Sequence, residues 1–488
     1  MLTELQKLRW IYGFGLGFIA VLGLCLFLEF FWVWAIPAAL VIIWMALFRL
    51  DWLLLLIVFA TPLSLNLEKI AFGLGIILPT EPLMFGAMLI FLIRLWYDHK
   101  FDWKIISHPI TVAILFNLGW ILMTSITSEM PVVSFKFLLS RMWFVITGYF
   151  MATQLFLHRK NIRRFLWIYA VPLCIVVVFT VIRHATFGFE EKPAHWVMQP
   201  FFKDHTSYGA LIAMYIPILV GFIAIKQYHI NTRILAFFLL SILLVGVIYS
   251  YTRAAWVSLL GAFALFLLIR FRVKVWQVGA LLVLAIGLFF SFQTEIFQKL
   301  EKNRQDSSSD LTEHVESISN VATDASNLER INRWNSALRM FEERPVFGWG
   351  PGTYSFLYAP FQHSSELTII STNFGDGGNA HSEYFGPLAE SGVLGLLTFL
   401  TVVVLVFYYG IALYFRGNLD PELKVILLVV VLGYSTYIAH GTLNNFLDLD
   451  KASVPFWGFA ALIVAMDVYF RKEGKGEEIE GELKKSDS

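Results

Sequence analysis

Four residues of this sequence have types suited to chemistry on a phosphorylated substrate: His381 and the arginines Arg253, Arg330 and Arg333. His381 lies in Asn379-Ala380-His381-Ser382-Glu383-Tyr384, after the turn Gly348-Trp349-Gly350-Pro351-Gly352. Glycines at alternate positions, Gly348, Gly350 and Gly352, predict a tight turn with exposed backbone N–H groups, and such a turn can face an anion. A histidine in the same interval supplies a base or acid that titrates near neutrality. The pattern also fits a loop that the glycines merely shape and a histidine at the surface, because a glycine-rich turn alone is a weak motif.

Arg253 falls in Ser250-Tyr251-Thr252-Arg253-Ala254-Ala255-Trp256, between two apolar stretches. A guanidinium is planar and forked, so it can bind an oxyanion bidentately. The same residue can equally be a helix-end arginine reaching the lipid headgroups. Arg330 and Arg333 open a segment of helical periodicity, where a cation in the first turn opposes the helix dipole and invites a partner anion. A solvated helix face is the plainer alternative. Lys203-Asp204-His205 and Arg141 are two further polar positions at the ends of apolar stretches.

The elements that must hold these residues are membrane helices. The 488 residues are 58% hydrophobic and only 15% charged, more apolar surface than a water-soluble fold of this size can bury. Fourteen apolar spans centre on residues 10–28, 31–48, 52–66, 82–97, 109–127, 141–157, 165–186, 207–225, 234–250, 254–270, 276–292, 391–415, 424–442 and 454–470, with twelve to fourteen as the defensible range. The third is short, and 67–82, with Pro79 and Pro82, could dip into the bilayer. The fold class is therefore all-α and polytopic. It divides into an N-terminal bundle (1–292, about eleven helices), a large loop (293–390), C-terminal spans (391–470) and a charged, disordered tail (471–488). A net charge of +1 offers no basic field for nucleic acid, and Cys25 and Cys174, both in apolar runs, read as core residues with no metal site.

Lys and Arg concentrate in alternate connections: Arg49, Arg94, Arg159, Lys160, Arg163 and Arg164, Arg233, Arg270 and Arg272, and Arg416. The positive-inside rule then puts both termini in the cytoplasm and 293–390 outside. Within that loop, 302–327 is Ser- and acid-rich with little periodicity. Ser326 and Glu329 have capping-box spacing. Ile331, Trp334, Leu338 and Phe341 recur as a helical stripe that Pro345 ends. The stripe predicts an amphipathic helix lying against the membrane domain. No carboxylates occur at mid-span, where ion-coupled transport would usually place ionisable groups, which points to chemistry at the outer face.

At these residues the chain resembles the O-antigen ligase and polymerase superfamily of bacterial membrane proteins. The resemblance rests on Ser250-x-Thr252-Arg253-Ala254-Ala255-Trp256, on Arg330-x3-Trp334 ahead of Glu343-Arg344-Pro345-Val346-Phe347-Gly348-Trp349-Gly350, and on Ala380-His381-Ser382-Glu383-Tyr384 leading to Ala389-Glu390-Ser391-Gly392. It covers roughly 200–415, and Ser382 stands where the family usually has Asn. The resemblance implies a GT-C-like, metal-independent, inverting glycosyltransferase without cofactors in the bacterial inner membrane. Its donor would be a glycan on undecaprenyl diphosphate, taken from the periplasmic leaflet. Arg253 and Arg330 would hold the diphosphate, with Arg333 as the alternative loop arginine, and His381 would serve the acceptor hydroxyl. Gly348, Gly350, Gly352, Tyr384, Glu390, Asp204 and Arg141 are the supporting positions. The acceptor stays open among a lipid A-core sugar, a growing polysaccharide and a protein hydroxyl. A lipid-linked oligosaccharide flippase, with a similar number of helices, is the rival of a different class.

Overall fold

The computed structural model describes residues 4–29, 35–66, 77–98, 101–274, 277, 325–368, 371 and 378–471. The chain is an all-α polytopic membrane protein. Among the described residues, ten helices are long and apolar enough to cross a bilayer. Helices are the natural outcome, because lipid leaves each backbone N–H and C=O to find its partner inside the same segment.

Three of the fourteen expected spans are not among those ten, the first although its helix runs over Glu4–Phe27. The apolar stretch of the first covers Tyr12–Cys25, the second is Ala35–Phe48, and the third is Leu50–Ala60. That third helix tightens into a 3-10 turn, Thr61–Leu63, with Pro62 in it. It then enters a two-stranded antiparallel hairpin in which Leu65 faces Leu78. Apart from Gln277, the expected span 276–292 lies outside the described residues, as do 67–76 of the re-entrant segment, 302–324 of the Ser-rich stretch and 472–488 of the tail.

The centre of the bundle is formed by His205–Ala224, Pro421–His440 and Asp450–Tyr469, whose side chains are almost all buried. Small residues let these helices approach: a Cβ on Gly433 would lie 2.5 Å from the Met214 carbonyl oxygen. Around them pack Pro109–Ile126, Arg159–Ala185, Ile230–Ile248, Arg253–Arg270 and Phe385–Arg416. At one end of the bundle, Arg159 bridges Asp420 (2.6 Å) and Glu422 (2.7 Å). The opposite end gathers the start of the His205 helix, the start of the Arg253 helix and the end of the His440 helix, and there the loop folds down.

The loop helix is described over Ala325–Glu343, and it departs from the expected amphipathic layout. Trp334 does pack on the membrane domain, with its ring 5.5 Å from Phe385, but Leu338 is 38% exposed. The most buried positions are instead Glu329, Asn332, Arg333, Ser336, Ala337 and Met340. The reason is that the chain after the Gly turn, through Tyr354–Leu357 and on to Ser371, covers the polar face and satisfies it. Asn332 Nδ2 donates to Gln362 Oε1 (2.8 Å), Asn335 Nδ2 to Glu366 Oε1 (2.9 Å) and Arg339 Nη1 to the Phe361 carbonyl (2.8 Å). The capping-box expectation is corrected too. The Glu329 carboxylate accepts from Arg333 Nε, Thr368 Oγ1 and Ser371 Oγ, so it is engaged away from the helix start.

Candidate functional site

His381 is partly buried and has φ +49°, a left-handed conformation that a non-glycine residue holds only when its surroundings fix it. Those surroundings are clear. Its N–H donates to Asn379 Oδ1 (3.1 Å), and the next residues are anchored on both sides. Ser382 Oγ accepts from the N–H groups of Tyr384 (3.2 Å) and Phe385 (3.4 Å), opening the helix Phe385–Arg416 in the manner of an N-terminal cap. Asn in that place could accept the same bonds. The buried Glu383 accepts at one oxygen from Tyr437 Oη (2.6 Å), Phe446 N (2.6 Å) and Leu447 N (2.9 Å), and its own N–H donates to the Gly441 carbonyl (2.8 Å). Tyr384 Oη donates to the Ile438 carbonyl (2.9 Å). The His381 segment is thus tied to the turn after the His440 helix.

That turn also receives Arg330, whose Nε donates to the Leu443 carbonyl (3.3 Å). Arg330 reaches it from the second turn of the loop helix, so the expected clash with the helix dipole in a first turn does not arise. Burial, with Arg330 and Arg333 close by, holds the His381 imidazole down to about 4. The ring is therefore uncharged at neutral pH and can accept a proton. Asp204, which caps the His205 helix by accepting from Ser207 N (2.8 Å), is near enough to act on it as well.

Arg253 joins this end through its neighbour. Thr252 Oγ1 donates to the His205 carbonyl (2.8 Å), and a Cβ on Gly209 would lie 2.7 Å from Thr252 Cβ, so the two helix starts touch. His205 in turn lies within electrostatic reach of Arg330, with its ring 4.1 Å from that of His195. The structure therefore brings Arg253, Arg330, His381 and Asp204 to one end of the bundle, with His205 among them.

Arg333 points elsewhere. It is 4% exposed, its Nε donates to Glu329 (2.6 Å) and its guanidinium lies 4.0 Å from the Tyr358 ring, inside the loop's own core. Of the two loop arginines, both act on His381, and Arg330 is the one within electrostatic reach of His205 and His440 as well.

The Gly turn is a joint between elements, which corrects the expectation of exposed N–H groups facing an anion. Gly348 N donates to the Arg344 carbonyl (3.1 Å), Trp349 N to Ala389 O (3.2 Å) and Gly350 N to Glu390 O (2.7 Å). These carbonyls are available because Gly392 breaks the helix Phe385–Arg416 with φ +68°, and Val393 N donates to Pro345 O (2.9 Å) instead. Gly350, at φ +113°, passes so close to the Ser128 turn that a Cβ would lie 1.9 Å from Ser128 Oγ. The Glu390 side chain accepts from Tyr354 N (2.9 Å), and Trp120 stacks 5.6 Å from Phe347.

Arg141 is a neighbour of the site and not one of its cations. It pairs with Asp448 (2.8 Å) and lines a cleft of about 120 Å³ together with Glu383, Glu390 and Asn445.

Sequence reasoning passed over His440. The ring is 1% exposed, and Arg330, Asp204 and His205 are within electrostatic reach of it. The signal was an ionisable residue closing a span at the same end as Arg253, in Tyr437-Ile438-Ala439-His440-Gly441.

A family model described as O-antigen ligase matches residues 235–400, from within the helix preceding Arg253 to beyond the Gly392 break. No curated protein matches the chain significantly.

Proposed function

We propose that this chain, a member of the O-antigen ligase and polymerase superfamily through that match, transfers a glycan from a polyprenyl diphosphate to an acceptor hydroxyl. The observation that carries the reading is that the segment bearing His381 and the Arg330 guanidinium are both tied to the turn after the His440 helix, where loop and bundle meet. The acceptor oxygen attacks the anomeric carbon from the side opposite the diphosphate, and His381 takes the hydroxyl proton. The bond between the anomeric carbon and the diphosphate oxygen breaks, its electron pair stays on that oxygen, and the configuration inverts. Arg330 and Arg253 offset the charge that develops on the leaving group, a role that needs no metal. A lipid-linked donor accounts for a site at the end of a membrane bundle: the polyprenyl chain stays in the bilayer while the diphosphate meets the arginines.

The Lys and Arg distribution supports an orientation with both termini cytoplasmic and the 293–390 loop on the periplasmic side of the inner membrane. A reporter fused after Arg471 then reads as cytoplasmic and one fused near Ser308 as periplasmic, and the reverse pattern overturns the orientation. The decisive assay for function is turnover of a defined undecaprenyl-diphosphate glycan by purified protein in nanodiscs, with sugar and protein acceptors offered separately. At equal abundance, His381→Ala is expected to lose about 10²–10⁴-fold in rate. Transfer within a few-fold of the parent would remove His381 from the mechanism.

A further inference from the structure

Among the described residues, His440 contributes a hydrogen-bond donor that no protein group uses. Its Nδ1 lies 3.4 Å from Asn444 Nδ2, and an amide nitrogen can only donate, so Nδ1 is the acceptor and the ring proton is on Nε2. That Nε2 is buried and has no hydrogen-bond partner among the described residues. A buried N–H left unpaired is costly, and native structures rarely keep one without a use. The ring is held within the packed end of the bundle. Phe446 packs against it with centroids 5.7 Å apart, and its residue closes the helix whose following turn Glu383 clamps.

The surroundings indicate what the donor is for. The backbone N–H of Leu443 bonds to the His440 carbonyl (3.0 Å), and the Leu443 carbonyl holds Arg330 Nε (3.3 Å). One turn of chain therefore carries both the imidazole and the acceptor that orients the guanidinium. Arg330 favours an anion, and a neutral N–H beside it suits an anion's oxygen without adding a second buried charge.

We propose that His440 Nε2–H donates to an oxygen of the phosphoryl group that Arg330 holds, making His440 a binding residue for the donor diphosphate. This rests on the reading of the site as one for a lipid-linked diphosphate, and it adds a recognition element outside the matched segment 235–400.

The test measures equilibrium binding of undecaprenyl diphosphate, without glycan, to the full-length protein in nanodiscs. Two substitutions separate the ring nitrogens. His440→Gln places an amide N–H near the position of Nε2 and gives up the contact with Asn444. His440→Asn places its amide near Nδ1, keeps that contact and gives up the donor. The expected result is Gln within about threefold of the parent and Asn weaker by about ten- to a hundredfold, the loss of one hydrogen bond to a charged group. If Asn binds like the parent, or both variants bind alike, the proposal is overturned: the Nε2–H is then satisfied by buried water, or the residue acts only through Asn444. A parent protein that fails to bind undecaprenyl diphosphate at all overturns the functional reading itself, an outcome distinct from any difference between variants.

Discussion

Removing the Glu383 carboxylate tests whether the His381 segment depends on its anchor. In Glu383→Ala, three donors lose their acceptor together: Tyr437 Oη, Phe446 N and Leu447 N. All three residues are at most 6% exposed. A buried donor left unpaired costs about 1–3 kcal/mol. The tyrosine hydroxyl can rotate to another acceptor but the two backbone N–H groups cannot, so the total is roughly 3–5 kcal/mol. That is a large share of a typical folding free energy of about 5–15 kcal/mol. At the usual unfolding entropy per residue, it lowers the melting midpoint of a chain this long by about 4 °C. Glu383→Gln keeps an acceptor oxygen in place and loses little. The melts are followed by tryptophan fluorescence in nanodiscs, with glycan transfer measured on the same preparations. Glu383→Ala should lose both stability and transfer, because the turn that positions Arg330 and the segment that carries His381 come apart. A midpoint within 1 °C of the parent, with transfer intact, would refute the claim that Glu383 joins them.

Three further outcomes follow from the geometry. Arg253→Lys keeps the charge but not the forked donor geometry, so transfer should drop at least tenfold with unchanged melting; near-parental turnover would return Arg253 to the role of a membrane anchor. Gly350→Ala places a methyl group against Ser128 at a φ that alanine resists, and should cost about 2–4 kcal/mol, read as a lower melting midpoint. The pH profile of kcat/KM should stay flat through pH 6.5 on its acid side and fall only towards pH 4, because His381 remains uncharged down to about 4. By the same depression, His381's contribution to stability is complete above about pH 6.5 and is lost as the pH falls towards 4. An acid limb centred near 6.5 would show that the site leaves His381 unperturbed.

Hydropathy made the long spans legible, because the length of an apolar run and the polarity of its flanks are properties of the sequence alone. The third span already read as short, and the helix Leu50–Ala60 does end at the Thr61–Leu63 turn. Arg253, Arg330 and His381 could be singled out by residue type and context, and the structure brings them to one end of the bundle. What could not be read was which side of a polar helix would be covered. Glu329, Asn332 and Arg333 look solvent-facing in sequence and are buried because a remote segment, 354–371, supplies their partners. The Gly turn failed as an anion cradle for a related reason. The N–H groups of Trp349 and Gly350 are taken by carbonyls that the Gly392 break sets free, and that break cannot be inferred from the turn. His440 carried only a faint signal, an ionisable residue at the end of a span, because an unpartnered ring nitrogen is a property of packing.

The exchange of hydrogen bonds at Gly392 has a consequence for the order in which the protein can be built. Residues 345–350 leave the ribosome before 389–393, so the joint between loop and helix waits for the helix Phe385–Arg416 to arrive. The clamp on His381 waits longer still, because Glu383 finds its partners only at Tyr437, Phe446 and Leu447. The site is therefore among the last parts of the chain to acquire its shape. A nascent chain stopped before Pro421 holds Arg330 and His381 but not the turn on which both are anchored, so this cluster takes shape only with the two C-terminal helices.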